Sequence, residues 1–452
     1  MAEITATRQQ YALDRLSSVI EKARKAGADA ADAVMFESTS ESISCRKGHV
    51  EDIERSENND LGLRVFVGKR QAIVSTTDVT SEALGTLAER AVSMASVAPE
   101  DPYCGLADPE LMAHTLPDLD LFDSFDPTPE QLKERALATE DVALQTAGIT
   151  NSEGAGAGFS QGYVALMNSN GFAQSYRSSN YSLSVSVIAG EGTAMERDYA
   201  YSSKRHHDDL TAPEDIGRDA ARRALRRLNP QKIKTANLPI VMEPRVSRSL
   251  MGHLSSAING HGIARGTSFL KDKMGQQIFA KNINIIDNPH LRRGPASKPY
   301  DGEGCQNSPL HIIEDGMLKC WLLDSHSAQQ LGLHSNGRAA RGTSSPPSPS
   351  STNLYLTPGD ISPEDLIGDI AQGVYVTDLI GMGVNGVTGD YSRGAAGFLI
   401  ENGKISHAVS EITIAGNLLD MFSGLSVAND LEHKYGTDAP TIRLENMTIA
   451  GS

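Results

Sequence analysis

The chain has 452 residues, enough for two or three domains each with its own core, which excludes a peptide hormone, a disulfide miniprotein or a single small module. Lys plus Arg number 41 against 57 Asp plus Glu, and the resulting net charge of −16 repels nucleic-acid phosphates and anionic membranes, so no direct nucleic-acid or membrane partner is expected. An apolar fraction of 39% excludes a disordered chain, and 41 glycines, about 9% against roughly 7% in ordinary proteins, point to many turns and strands and to places where backbone approaches backbone.

The first predicted element is an amphipathic helix from Arg8 to Ala26, with Leu13, Leu16, Val19, Ile20 and Ala23 on one face and Gly27 at the C-terminal cap. Short alternating segments over residues 31 to 76 read as strands, with a hairpin turn at Gly68 and Lys69. Leu84, Leu87, Ala88, Ala91, Val92 and Ala95 then fall at helical spacing between Ser81 and Val97. Residues 1–98 are therefore expected to form an N-terminal α/β domain with helices on a sheet. Pro99, Pro102, Pro109, Pro117 and Pro127 break regular structure over 99–127, which reads as a linker draped on a surface.

Thr128-Pro129-Glu130-Gln131 offers an N-cap, a proline at the first helical position and a Gln to close a capping box, so a helix is expected over 129–147. Residues 149–203 change period to a strand pattern, clearest in the alternation from Tyr181 to Val187. Thr211 to Glu214 is read as a second capping box opening a helix over 212–228, and Pro230 ends a middle α+β domain over 128–230. The last unit, 231–452, begins with a strand at Leu238 to Met242 and a helix from Pro244 to about Ile258. Many short strands, a Ser/Pro-rich loop from Gly342 to Thr352 and seven glycines between Gly383 and Gly416 make it β-rich, and the fold class α+β.

Candidate chemistry is sparse. Gly154-Ala-Gly-Ala-Gly158 is followed by strand alternation, not by the helix that a phosphate-cradling loop needs. Arg222, Arg223, Arg226 and Arg227 line one side of a helix and read as a solvated face. Asp324, Ser325 and His326 hold the residue types of a hydrolase triad, but neighbours in sequence do not point at one another and there is no G-x-S-x-G elbow. His206-His207-Asp208-Asp209 reads as a surface loop, and no H-E-x-x-H helix is present. Cys45, Cys104, Cys305 and Cys320 are dispersed and read as inert reduced thiols. With no basic, apolar and small-residue progression from Met1 to Gln10 and no apolar run of membrane-spanning length, a cytoplasmic location is expected.

The C-terminal run is specific. Gly386-Val-Thr-Gly-Asp-Tyr-Ser-Arg-Gly-Ala-Ala-Gly-Phe398, Glu401-Asn-Gly403 and Val409-Ser-Glu-Ile-Thr-Ile-Ala-Gly-Asn417 closely resemble the TldD/PmbA family, in its PmbA (TldE) branch, the modulator of DNA gyrase family. Asp301-Gly-Glu-Gly304, Trp321-Leu-Leu323, Met195-Glu-Arg-Asp-Tyr-Ala-Tyr201 and Asp118-Leu-Asp-Leu-Phe122 extend the resemblance from about residue 30 to the end.

The resemblance implies proteolysis. In the TldD branch an H-E-x-x-x-H helix supplies two zinc ligands and a glutamate base, and a cysteine near the C-terminus adds a third ligand. Counting back from Arg265-Gly-Thr-Ser268, the two His positions fall on Met251 and Ser256 and the Glu position on Gly252, none of which can serve, and no cysteine follows Cys320. His253 and His261 remain as substitute ligands from a distorted turn. The resemblance thus implies a chain with no cofactor of its own and no catalytic residues. It shapes a substrate chamber for unfolded peptides beside a TldD-type zinc peptidase subunit. A partner-facing surface should be apolar, which makes a homodimer possible for the isolated chain. Gly389, Asp390, Ser392 and Arg393 are candidates for peptide contact, with turn capping as the competing role, and strand edges near Gly386 to Gly397 are expected to pair with the substrate backbone. Two other readings are a homodimeric metallopeptidase with a divergent metal site and a non-enzymatic binding protein acting on DNA gyrase.

Overall fold

The apolar stripe of the first helix sets the first layer of the computed structural model, which describes residues 2–451 and side chains from Gln9 onward. Met1 and Ser452, the outer ends of the predicted terminal domains, and the Arg8 side chain lie outside the described residues. Helix α1 (Ala2–Lys25) buries Leu16, Val19 and Ala23. Strands β1 (Ala30–Arg46), β2 (His49–Val67) and β3 (Arg70–Thr76) follow, with Gly68 at a φ of 59° in the β2–β3 turn. Helix α2 (Ser81–Val97) starts where Thr80 accepts a hydrogen bond from the Ala83 N–H, and it packs with α1 on these strands.

Helix α3 (Pro129–Leu144) carries the expected capping box at both bonds, Thr128 to the Gln131 backbone and Gln131 to the Thr128 backbone. Strands β4 (Ile149–Asn168), β5 (Ala173–Ala189) and β6 (Glu196–Lys204) precede α4 (Pro213–Arg226). The second predicted capping box does not form. The N-cap of α4 is Ala212, without a side-chain bond, because the Thr211 N–H is drawn to Ser202 Oγ at 3.2 Å.

The six strands form one antiparallel sheet in the order β3-β2-β1-β4-β5-β6. Segments 1–98 and 128–230 therefore share a sheet, joined where β1 pairs with β4 from Asp32 opposite Asn168 to Cys45 opposite Ala155. Each segment keeps a core of its own: α1 and α2 cover one half of the sheet, α3 and α4 the other. The Gly154–Gly158 run lies inside β4. Segment 99–127 is not draped on a surface. Its Ala107, Met112 and Ala113 are buried against Val34, Leu166, Phe172, Tyr300 and Cys305, so it wedges between the sheet and the C-terminal region.

From residue 231 the elements are β7 (Ala236–Met242), α5 (Pro244–Ala257), α6 (Gly260–Ala264), β8 (Ile285–Asp287), β9 (Leu310–Glu314), β10 (Met317–Leu318), α7 (Ser325–Leu331), β11 (Ala339–Ala340), β12 (Ser348–Pro349), β13 (Leu354–Leu356), α8 (Pro363–Gly368), β14 (Gln372–Ile380), β15 (Asp390–Glu401), β16 (Lys404–Asn417), α9 (Leu418–Ser423), β17 (Ser426–Val427), β18 (Thr437–Asp438) and β19 (Ile442–Ala450). Strands β16, β15, β14, β7 and β19 lie side by side in that order, and β16 pairs with β19 as well, which closes them into a barrel. The apolar side of α5 packs on this barrel through Val246, Leu250, Met251 and Leu254.

Close backbone approach explains two of the glycines. A Cβ at Gly397 would sit 1.9 Å from the Tyr375 carbonyl oxygen, and one at Gly383 1.7 Å from that of Ser392, so neighbouring backbones leave no room for a side chain. No strand edge is free where one was expected near Gly386 to Gly397. From Gly394 on, β15 is bonded to β14 on one side and β16 on the other. Between Asp390 and Ser392 the second side is taken by the returning 383–385 segment, through Ser392 N–H to Gly383 O at 2.7 Å and Asn385 N–H to Asp390 O at 2.9 Å.

Candidate functional site

Helix α5 is amphipathic, and its polar stripe marks the site. Arg245, Arg248, Ser249, Gly252, His253 and Ser256 recur at three- and four-residue spacing, so they share one face while Val246, Leu250, Leu254 and Ala257 occupy the other. Two adjoining cavities run along the polar face. The one beside the N-terminal half has a volume of about 490 Å³ and is walled by Arg245, Arg248, Ser249 and Gly252 with Arg197, Asp198 and Tyr199 of β6. The one beside the C-terminal half, of about 580 Å³, is walled by His253, Ser256 and Asn259 with Phe269, Met382 and Val384. Arg393 lines both.

Electrostatics divide the arginines of the first cavity into two kinds. Arg245 spends its fork on Asp198, at 2.7 and 3.2 Å, and its Nε on Glu243 at 3.1 Å. Arg227 of the same wall bonds Asp378 at 3.2 Å and Glu196 at 3.3 Å. Burial pushes Asp198 up, but the hydrogen bonds and charge of Arg245 outweigh it and hold the carboxyl below its ordinary range. The arginines from 222 to 227 are thus a solvated face only in part. Arg223 and Arg227 tie the middle unit to the C-terminal region, whereas Arg222, paired with Asp219, and Arg226, stacked on Phe398 at 4.5 Å, are exposed.

Arg248 and Arg393 have no ion pair among the described residues. Arg248 lies over the Tyr435 ring at 4.3 Å with its Nε unbonded. Arg393 makes one long bond, 3.5 Å to the Leu379 carbonyl oxygen, and its Nε is also unbonded. Around them, Ser249 Oγ, His253 Nε2 and the hydroxyl of the fully buried Tyr391 are without hydrogen-bond partners. Burial, then the Arg393 charge, holds the His253 imidazole below its ordinary pKa, and burial pushes the Tyr391 hydroxyl up to about 12.

Of the four candidates for peptide contact, Arg393 alone walls the cavities. Asp390 accepts from Thr388 Oγ1 at 2.6 Å and Asn417 Nδ2 at 3.4 Å, which is the turn-capping role. Gly389, at a φ of 82°, accepts from the Leu418 N–H, and Ser392 is exposed beside the loop. Met251, Gly252 and Ser256, reached by counting back from Arg265, do not share a face. Met251 is completely buried in the barrel core, Gly252 borders the first cavity, and Ser256 borders the second with its Oγ donating to the Gly252 carbonyl oxygen at 3.0 Å.

His253 and His261 do not converge. His253 stands edge-on to Tyr391, whereas His261 on α6 meets Asp324 at 3.2 Å and stands edge-on to His326. His326 turns away to Asp101 at 2.8 Å and Asp324 caps α7, so no triad forms from 324 to 326. His206 meets the Asp120 carbonyl oxygen at 3.0 Å and His207 packs on Phe125. Burial pushes Cys305 up and Cys320 up to about 11, as inert thiols require.

Asp301, Glu303 and Cys305 do lie together, fully buried, in a group the sequence reading did not single out. Their polar capacity is already used. Asp301 accepts from the N–H groups of Glu303, Cys305 and Ala339, and Glu303 accepts from the Ser325 N–H and faces Arg64 at 3.9 Å. The group holds chain segments together.

Residues 31–95, 122–228 and 235–451 match, in turn, domain 1, the central domain and the C-terminal domain of the PmbA/TldA metallopeptidases. A protein named metalloprotease PmbA from Escherichia coli O157:H7 is 41% identical over 425 residues, 94% of this chain and 92% of its own length. A PmbA homologue from Haemophilus influenzae is 38% identical over 98% of this chain and 97% of its own length. A crystal structure from Bacteroides thetaiotaomicron, of a candidate modulator of DNA gyrase, superposes with a TM-score of 0.90 at 28% identity, covering 97% of this chain and 98% of that one. No helix among the described residues is long and apolar enough to cross a membrane.

Proposed function

The chain belongs to the PmbA/TldD metallopeptidase family, and on that premise we propose that it is the subunit of a two-chain cytosolic metallopeptidase that shapes the chamber for unfolded peptides and does not itself hold zinc. The cavity face of α5 carries this reading. An H-E-x-x-x-H motif works only if its three side chains face one site. On α5 the counted-back Met251, Gly252 and Ser256 offer neither a zinc ligand nor a base, and the cavities are also lined, at the same spacing, by Arg248, Ser249 and His253.

Those three residues do not fit a zinc ion. A guanidinium at the first ligand position repels a cation, a serine hydroxyl is no general base, and a single imidazole remains where a catalytic site needs three protein donors. No cysteine follows Cys320 to add another. In this reading the metal and the base belong to the TldD-type partner, where a bound zinc ion would supply Lewis-acid chemistry for peptide hydrolysis.

The walls left by this chain suit an extended substrate. The polar stripe of α5 from Arg245 to Ser256 is about 16 Å long, the length of about five extended residues. Strand β6, the outermost of the six-stranded sheet, places Arg197, Asp198 and Tyr199 on the first cavity, and its outer edge replaces the Gly386 to Gly397 run as the place where a substrate backbone adds. Pairing through the backbone gives a broad substrate range.

The test is reconstitution. The chain is purified alone, and mixed with the H-E-x-x-x-H homologue encoded in the same genome, and cleavage of an unfolded peptide and metal content are measured. The mixture is expected to cleave and each chain alone to be inactive, with zinc only in the partner. Stoichiometric zinc in this chain, together with chelator-sensitive cleavage by it alone, would overturn the reading.

A further inference from the structure

We infer that the cavity along α5 is a carboxylate receptor, in which Arg248 and Arg393 bind a carboxylate of the peptide. The peptide as ligand rests on the proposed function. The receptor chemistry rests on the side chains alone.

Five arginines and two aspartates, Asp198 and Asp378, wall the first cavity. The aspartates are spent on Arg245 and Arg227, and Arg197 faces Glu153 at 3.2 Å. Arg248 and Arg393 are left with uncompensated charge. A half-buried guanidinium whose Nε is shut off from water without a partner is under-satisfied, and one bidentate anion satisfies its donors at once. Arg248, Ser249 and Arg393 line this one cavity, and both Nε atoms and Ser249 Oγ are without hydrogen-bond partners.

The position of Arg393 between the two cavities adds a directional element. A carboxylate held there leaves the chain of the peptide free to run along α5 past His253 and Ser256, or back along β6. A planar carboxylate matches the forked donors of Arg in a way that an amide end does not, since the amide carries no charge and brings N–H groups of its own.

The measurement is fluorescence anisotropy of a dye-labelled unstructured peptide, containing no Asp or Glu, titrated with the full chain. Three peptides are compared: one with a free C-terminal carboxylate, one amidated, and one amidated with a single internal Glu. Amidation is expected to weaken binding about tenfold or more, the loss of a charge-assisted pair. R248M and R393M are each expected to erase the difference between acid and amide, and R393K, which keeps the charge without the fork, to retain part of it. Recovery of affinity in the Glu-containing amide assigns the carboxylate to a side chain. Its absence there, with tight binding of the free acid, assigns it to the C-terminus.

Equal binding of acid and amide by the unaltered chain would overturn the inference, with no variant needed. So would a difference that survives both Met variants, or inorganic phosphate displacing the free-acid peptide at concentrations where acetate added alone has the same effect as neutral salt. The assay uses neither partner nor cleavage, so its failure leaves the subunit reading standing. Zinc in this chain would remove that reading and leave the acid-to-amide ratio measurable.

Discussion

Two pairs of arginines share a cavity wall and differ in what faces them. Arg227 and Arg245 are bonded to carboxylates on β6 and on the segments around β7 and β14, and so seal the seam between the middle unit and the C-terminal barrel. Arg248 and Arg393, on the same cavity, face no carboxylate among the described residues. A buried ion pair contributes little net stability but is costly to break, because the surviving charge is left without a partner. The first pair therefore belongs to the architecture and the second to something that comes from outside. Net charge alone would not have separated them: at −16 the chain has acidic groups to spare, and it still leaves these two guanidiniums unanswered.

The contrast breaks most sharply at Asp198. The D198A change strands Arg245 and one face of Arg227, and is expected to cost about 3–5 kcal/mol of unfolding free energy in urea titrations. Because Asp198 is held low, its contribution is present above the ordinary carboxyl value of 3.8 and is lost as the pH falls through the folded value, so the D198A deficit should shrink in acid. A deficit under about 1 kcal/mol at neutral pH would show that the seam does not depend on these pairs.

Glu303 shows the opposite sign. Burial, then the charge of Asp301, raises it from 4.5 toward neutrality, so the folded chain holds this proton more firmly than the unfolded one. Its contribution is complete below pH 4.5 and is lost as the pH rises through the folded value. Glu303→Gln cannot titrate. Comparing unfolding curves of the two proteins, the difference between them should change by on the order of 1–3 kcal/mol between pH 4.5 and neutral pH. A pH-independent difference would mean that Arg64 compensates Glu303 fully despite the 3.9 Å gap.

How far such distinctions are legible in sequence depends on their range. Local signals read well: the helix at Ser81 to Val97 and the Thr128–Gln131 capping box depend on residues within a turn of each other. Thr211 carries a similar signal and fails, because Ser202, nine residues away, competes for its N–H. The two threonines make a matched test, in which T128A should cost about 1 kcal/mol and T211A less than about 0.5 kcal/mol in thermal unfolding.

Non-local pairings were not legible. Nothing near Asp32 announces that β1 will lie beside Asn168, and so two predicted domains share one sheet. Alternation says that a segment is a strand but not which strand it meets, and the glycines of β15 announced close backbone approach without saying that a barrel closes there. The α5 site was within reach. The stripe Arg245, Arg248, Ser249, Gly252, His253, Ser256 repeats with helical period, and that phase, rather than a count from Arg265, separates the cavity face from the core face that holds Met251.

The smallest expected effect is the most discriminating one. If Arg248 and Arg393 serve an absent ligand, the fold gains nothing from their charge, and R248M or R393M should change unfolding free energy by less than about 0.5 kcal/mol, with both packed stems replaced by an apolar chain of similar reach. Arg248 loses a cation–π contact with Tyr435 worth at most about 1 kcal/mol, so a small deficit is tolerable there and not at Arg393. Added salt should separate the pairs further: screening weakens peptide binding by the unaltered chain and leaves the stability of both Met variants unmoved relative to it. A large destabilisation on losing Arg393 would place it with Arg227 and Arg245 as part of the seam, and the division between the two pairs would disappear.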